Sequence, residues 1–247
     1  MSFETIFPVV LGAVMGGFIN GLAGFGTALF ALGFFLNVMT PEQAVAVVVI
    51  LSVISGMQGL WVVRGAIWDR AGRMARFVVP GLVGIPLGLL ALSVIEARTL
   101  KLVIAGFLML YGGFFTLRRS LPRFERPTPV ADAGVGFLGG ILGGAASLSG
   151  ALPTMWCSMR PWPKAETRAV LQPFNVVILG VTALMLALRG VYDGQTLLYL
   201  AVALPCALLS AQIGITVFKR LSDDLFRRLL IGMCLVSGTI LMLREVL

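Results

Sequence analysis

Histidine is absent from the 247 residues. Its absence excludes Ser-His-Asp and Cys-His catalysis, HExxH zinc sites and haem ligation through imidazole. Cysteine is almost as scarce. Cys157, Cys206 and Cys234 stand far apart with no CxxC spacing. Neither a disulfide framework nor a zinc site is indicated, and the three read as small apolar packing residues. Charge is scarce too: 12% of residues are charged against 58% hydrophobic, and mean hydropathy is +0.99. Soluble domains carry about 25% charged residues. So few charges cannot cover a water-facing surface, and lipid is the solvent that fits. The expected fold class is all-α, a polytopic transmembrane helix bundle.

The eleven carboxylates are absent from the centres of the apolar segments; each lies at a segment end or in a loop. The intramembrane acid that marks a proton relay is therefore missing. Glu42 and Glu166 sit at equivalent segment starts, where they act as gates or as helix N-terminal charges. With no histidine, no clustered acids and no metal-ligand spacing, neither an enzyme nor a cofactor is expected. The net charge is +8 and the pI near 10.3. The basic residues fall in short clusters between apolar stretches, the distribution of cytoplasmic loops rather than of a nucleic-acid-binding face. The expected partners are a lipid bilayer and a small anionic substrate, and no nucleic acid; a homo-oligomer is left open. The first ten residues carry Glu4 and no Lys or Arg, unlike a cleaved signal, and are expected to start a membrane helix from outside.

What is present is largely one sequence written twice. MGGFINGLAGFGTALF (15–30) resembles LGGILGGAASLSGALP (138–153) at an offset of 123. The segment from 86 to 118 matches that from 212 to 244 at an offset of 126, with Gly88 on Gly214, Gly106 on Gly232 and Gly112 on Gly238. Two blocks in the same order at nearly the same offset imply two repeats, 1–119 and 129–247, joined by a charged, proline-containing cytoplasmic linker at 120–128. Each repeat contains five apolar segments: 5–22, 27–38, 42–63, 75–95 and 99–117, then 133–146, 150–159, 165–188, 196–218 and 225–243. The last three of each set reach the roughly 20 residues of a span. The first two are joined by glycine- and serine-rich breaks and do not all reach it.

Loop charge decides how these broken pairs sit. If each pair crosses once, Lys and Arg divide 10 inside and 9 outside; if each pair goes in and returns, they divide 15 and 4. The positive-inside rule favours the second arrangement, which makes the repeats inverted, a recurrent plan in secondary transporters. Both termini are then expected outside, in a multi-pass protein of the bacterial inner membrane.

The two breaks, Leu22-Ala23-Gly24-Phe25-Gly26-Thr27 and Ala146-Ser147-Leu148-Ser149-Gly150-Ala151, occupy equivalent places. Non-helical backbone at membrane depth is tolerated where it is buried in protein or lines a cavity. Helices resuming at Thr27 and Gly150 would offer unpaired N–H groups and the positive end of a dipole, which bind anions without a cationic side chain. Thr27, Ser147 and Ser149 add hydroxyls. Packing through small residues is the alternative use of the same glycines, and Gly16, Gly17, Gly21, Gly139, Gly140, Gly143 and Gly144 fit it. Asn20, Ser52, Ser55, Gln58, Gln172, Asn175 and Gln212 fall inside segments, where amides need partners. Asn20, Gln172 and Asn175 lie close to the breaks and touch either substrate or another helix. Arg160, Lys164 and Arg168 are expected at the cytoplasmic mouth, steering anions or simply setting orientation.

The strings GFINGLAGFGTALFALGF, GFLGGILGGAASLSGALPTMW and PKAETRAVLQPFN resemble the sulfite exporter TauE/SafE family of bacterial membrane proteins over nearly the whole chain. The resemblance implies transport of sulfur-containing anions such as sulfite, sulfoacetate, other organosulfonates or thiosulfate; some relatives carry other small organic anions. Carried onto this chain, it implies a site formed by Asn20, Gly24, Phe25, Gly26 and Thr27 with Ser147, Leu148, Ser149 and Gly150. Serines stand in the second break where the first has glycines, so the two half-sites should differ chemically. An anion channel built on the same breaks is the competing function.

Overall fold

The computed structural model describes residues 3–68, 71–117, 124, 128–162, 164–222, 225, 231–232, 235–236, 238–239, 242–243 and 246. Among them the regular elements are helices: α1 Phe3–Ala23, α2 Thr27–Phe35, α3 Pro41–Trp68, α4 Ala71–Leu92, α5 Ala97–Leu117, α6 Pro129–Ala146, α7 Ala151–Ser158, α8 Lys164–Leu188 and α9 Gly194–Arg220. Seven of these are long and apolar enough to cross a membrane. Most of the linker at 120–128 and most of the tenth expected segment, 225–243, lie outside the described residues.

Local chemistry sets several helix starts. Thr40 and Gln43 form a reciprocal capping box, each backbone N–H donating to the other side chain at 3.3 Å, with Pro41 as the first helical residue of α3. Asp193 accepts from the Thr196 N–H at 2.7 Å and starts α9. The first helix of each broken pair, α1 or α6, is long enough to span, whereas α2 and α7 have 9 and 8 residues. At 1.5 Å per residue these rise about 12–14 Å, under half the hydrocarbon thickness.

The outward faces are apolar. On α4, Val79, Val83, Leu87 and Leu90 form an exposed stripe, while Phe77, Ile85, Leu89 and Leu92 are buried behind it. A stripe of that kind on a helix this long is suited to lipid.

Two helix pairs cross in close contact, α1 on α9 and α6 on α4. Gly17 and Gly21 of α1 leave no space for a Cβ against the backbone of Ala207 and Ala211, and Gly214 of α9 meets Phe18 and Leu22 in return. In the other pair Gly140 and Gly144 of α6 abut Gly81 and Ile85, and Gly88 of α4 meets Ile141 and Ala145. Shifting one set of contacts by 123 and 126 residues gives the other. Small residues allow this backbone approach, so dispersion rather than water exclusion holds the helices in lipid. Helices α3 and α8 pack together between these pairs, and α8 carries the buried amides Gln172 and Asn175.

Candidate functional site

Each break is a helix C-terminus followed directly by a new helix. After α1, Gly24 (φ +81) and Gly26 (φ +97) adopt left-handed conformations, and the Gly24 N–H donates to Asn20 O at 2.7 Å. After α6, Ser147 takes the left-handed position (φ 56) that Gly24 holds in the first break. Its N–H donates to Gly143 O, the single bond of an αL helix end, and that of Leu148 to Leu142 O, both at 3.0 Å. A left-handed serine costs about 1–2 kcal/mol relative to glycine. The Ser147 hydroxyl donates to Val45 O at 3.4 Å.

The two breaks meet. A Cβ added at Gly150 would lie 2.7 Å from that of Phe25, so this glycine is what lets the second break approach the first. Asn175 of α8 ties them: its Nδ2 donates to Gly24 O at 3.0 Å and its Oδ1 accepts from the Ser149 hydroxyl. Asn20 Nδ2 donates to Ser52 O of α3 at 3.1 Å. These groups surround a void of about 10 Å³, the smallest space that accepts one water. It is lined by Asn20, Phe25, Gly26, Thr27, Leu29, Ser52, Ser147, Leu148, Gly150, Ala151, Asn175 and Leu179. The Thr27 hydroxyl there is buried without a hydrogen-bond partner. Because α2 and α7 both begin at this void, it lies at two positive dipole ends at once. No Lys, Arg, Asp or Glu is in its lining.

Eight of the sequence-predicted residues line the void: Asn20, Phe25, Gly26, Thr27, Ser147, Leu148, Gly150 and Asn175. Gly24 and Ser149 stand behind it as the two partners of Asn175. Gln172 lies one turn away, its amide packed against Gly24, Gly56 and Gly59, with Nε2 donating to Gly56 O at 3.0 Å. Sequence reasoning missed Leu29, Ala151 and Leu179, which carry no chemical signal in an apolar run. Ser52 was visible as an in-segment hydroxyl, but nothing in the sequence placed it beside Asn20.

Two arginines expected at a mouth are buried. Arg160 donates to Asp132 Oδ1 at 3.2 Å, to Phe124 O at 3.1 Å and to the Thr128 hydroxyl. Asp132 also accepts from Trp156 Nε1 at 2.7 Å, which fastens the end of α7 to the start of α6. Arg168, in the second turn of α8, is 3% exposed, its guanidinium 4.3 Å over the Phe218 ring. Glu166 is neither a free gate nor a simple cap: it pairs with Arg73 of α4, which stacks at 4.4 Å on Trp162. Among the described residues no group of His, Cys, Asp and Glu could hold a metal.

The profile of the sulfite exporter TauE/SafE family matches residues 9–241 of the chain. The chain is similar to the probable sulfite/organosulfonate exporter TauE of Cupriavidus necator, 25% identical over 253 residues that cover 98% of this chain and 97% of that protein. No solved structure matches it.

Proposed function

The chain belongs to the sulfite exporter TauE/SafE family, and on that premise we propose a secondary transporter carrying a small sulfur-containing anion across the bacterial inner membrane. Sulfite, sulfoacetate and other organosulfonates are the substrate class. The anion is held near the midplane between the two breaks and moves by alternating access. The observation that carries this reading is the convergence of two helix starts on one neutral void with an unmatched Thr27 hydroxyl. Two dipole ends and several donors suit an anion, and a lining free of charged side chains keeps its release cheap.

Contacts support an inverted arrangement of the repeats 1–119 and 129–247. Arg73 and Glu166 are ion-paired, and Arg160 reaches Phe124 O. Arg189 donates to Leu89 O at 3.2 Å. If each broken pair crossed once, Arg73 and Glu166 would lie on opposite faces of the membrane, as would Arg160 and Phe124, and Arg189 and Leu89. If each pair returns, every one of these contacts joins residues on a single face. The return of α7 to Asp132 favours the same reading, as does the exchange of contacts between α1–α9 and α6–α4.

A void that accepts one water is too small for an oxyanion of sulfur. Loading it requires the α1–α2 and α6–α7 pairs to separate, towards one face and then the other, which is the motion alternating access needs. The test is thermal stability of the purified protein against sulfite, thiosulfate, sulfoacetate, taurine, short carboxylates and phosphate. A ligand at 100 times its Kd stabilises by about 2.7 kcal/mol. Stabilisation confined to sulfur anions supports the proposal. Stabilisation by carboxylates instead would move the substrate class to another small organic anion, and unitary currents in planar bilayers would replace the carrier by a channel.

A further inference from the structure

Arg168 is the least satisfied charge among the described residues. It is 3% exposed, and its Nη2 donates to Gly21 O at 3.1 Å. Its Nε and Nη1 have no partner. The other contact is the Phe218 ring. Beside it Gln172 Oε1 is also buried without a partner, because Nε2 of that amide is committed to Gly56 O. A Cβ built on Gly24 would lie 3.5 Å from Arg168 Nε and would also meet Gln172 Oε1. The unmatched Nε and the unmatched acceptor therefore flank one spot, beside the first break and apart from the void, whose lining includes neither residue.

A buried guanidinium without a counter-charge carries a desolvation cost of several kcal/mol. Its bond to Gly21 O caps the last turn of α1 and accounts for one N–H. Nη2 keeps a second N–H, and with the free nitrogen on the same edge it makes the planar fork that binds an oxyanion through two parallel bonds. We propose that Arg168 is an anion-binding residue, forming with Gln172 a second position that holds a sulfur oxyanion on its way to or from the void. The second Nη2 N–H and the free nitrogen beside it take two ligand oxygens, and Gln172 Oε1 accepts from a ligand hydroxyl such as that of hydrogensulfite. The charge-free void and this cationic position then divide the work: capture at Arg168, release through neutral surroundings. The inference rests on the transport reading above.

The experiment compares wild type, Arg168→Lys and Arg168→Met, purified in anion-poor buffer and titrated with sulfite and with methanesulfonate, reading the half-saturating concentration from thermal stability. Arg168→Met should be as stable as wild type without ligand, or more so, because an unpaired buried charge is gone, and should need at least about tenfold more ligand. Arg168→Lys keeps a cation against Gly21 O but loses the fork, so it should retain wild-type stability and still bind more weakly. Wild-type half-saturation in either variant overturns the proposal and leaves Arg168 as a helix cap; if the methionine variant does not fold, the lysine variant decides by the same criterion. A wild-type protein that responds to neither ligand overturns the transport reading together with this one, whereas a wild-type response preserved in the variants overturns this one alone.

Discussion

Asn175 donates its side-chain N–H to the carbonyl oxygen of Gly24 across 3.0 Å, from α8 in one repeat to the helix break in the other. Its remaining lone pairs accept from Ser149, so one amide is the strut between both breaks. Asn175→Ala leaves the Gly24 carbonyl and the Ser149 hydroxyl buried and unmatched. Stability should fall by about 1–3 kcal/mol, read as a drop in Tm of the purified protein. Transport in proteoliposomes should fall further than the folded fraction does, because both half-sites lose their registration.

The glycine contacts between helix pairs should be intolerant of a single methyl group. Gly21→Ala and Gly140→Ala each place a Cβ against backbone of the facing helix, at Ala211 and Gly81. Neither backbone can yield without the helices separating, at a cost of about 1–3 kcal/mol. Gly106→Ala is the control: nothing lies within 4 Å of its Cβ position, so the change should be neutral or stabilising by up to about 1 kcal/mol from helix propensity. Tm values in detergent separate the two classes.

Asp193 caps α9 from outside the spans, and the backbone N–H of Thr196 holds its carboxyl below the ordinary carboxylate range. A depressed folded pKa makes the contribution present above the unfolded pKa and lost as pH falls through the folded one. Asp193→Ala should therefore lower Tm at neutral pH, with the gap to wild type closing on strong acidification. Asp193→Asn keeps a capping oxygen and should show no such convergence.

Sidedness separates the two repeat arrangements directly. In a background with Cys157, Cys206 and Cys234 replaced, Gln195→Cys should react with an impermeant thiol reagent added outside cells. Ser222→Cys should react only after the membrane is opened. The reverse pattern would make the repeats parallel.

Much of the helix plan was legible, because a span needs length and apolarity and both are local properties. The expected segment 165–188 and the observed α8, Lys164–Leu188, differ by one residue. The breaks were legible because Gly24, Gly26, Ser147 and Gly150 interrupt otherwise continuous apolar runs. Arg168 was not. Four residues into a helix it reads as a loop-proximal charge, and its burial comes from the end of α1 and from Phe218, far away in the chain. The pairing of Asp132 with Arg160 was hidden for the same reason: each sits at a segment end in sequence, and the return of α7 brings the two together in a buried cluster. Burial of a charge is a property of the neighbours, and composition does not list them.

The measurement closest to the central claim is counterflow in proteoliposomes loaded with unlabelled sulfite, comparing wild type with Thr27→Val. This substitution removes the unpartnered hydroxyl beside the void at nearly constant volume and should leave Tm unchanged or raised. Wild type should accumulate labelled sulfite transiently, and Thr27→Val should do so at least about tenfold more slowly, the loss of a hydrogen bond to a charged ligand. Counterflow by the variant at the wild-type rate would contradict an anion site at the paired breaks. Uptake in wild type that preloading does not accelerate would contradict the carrier itself.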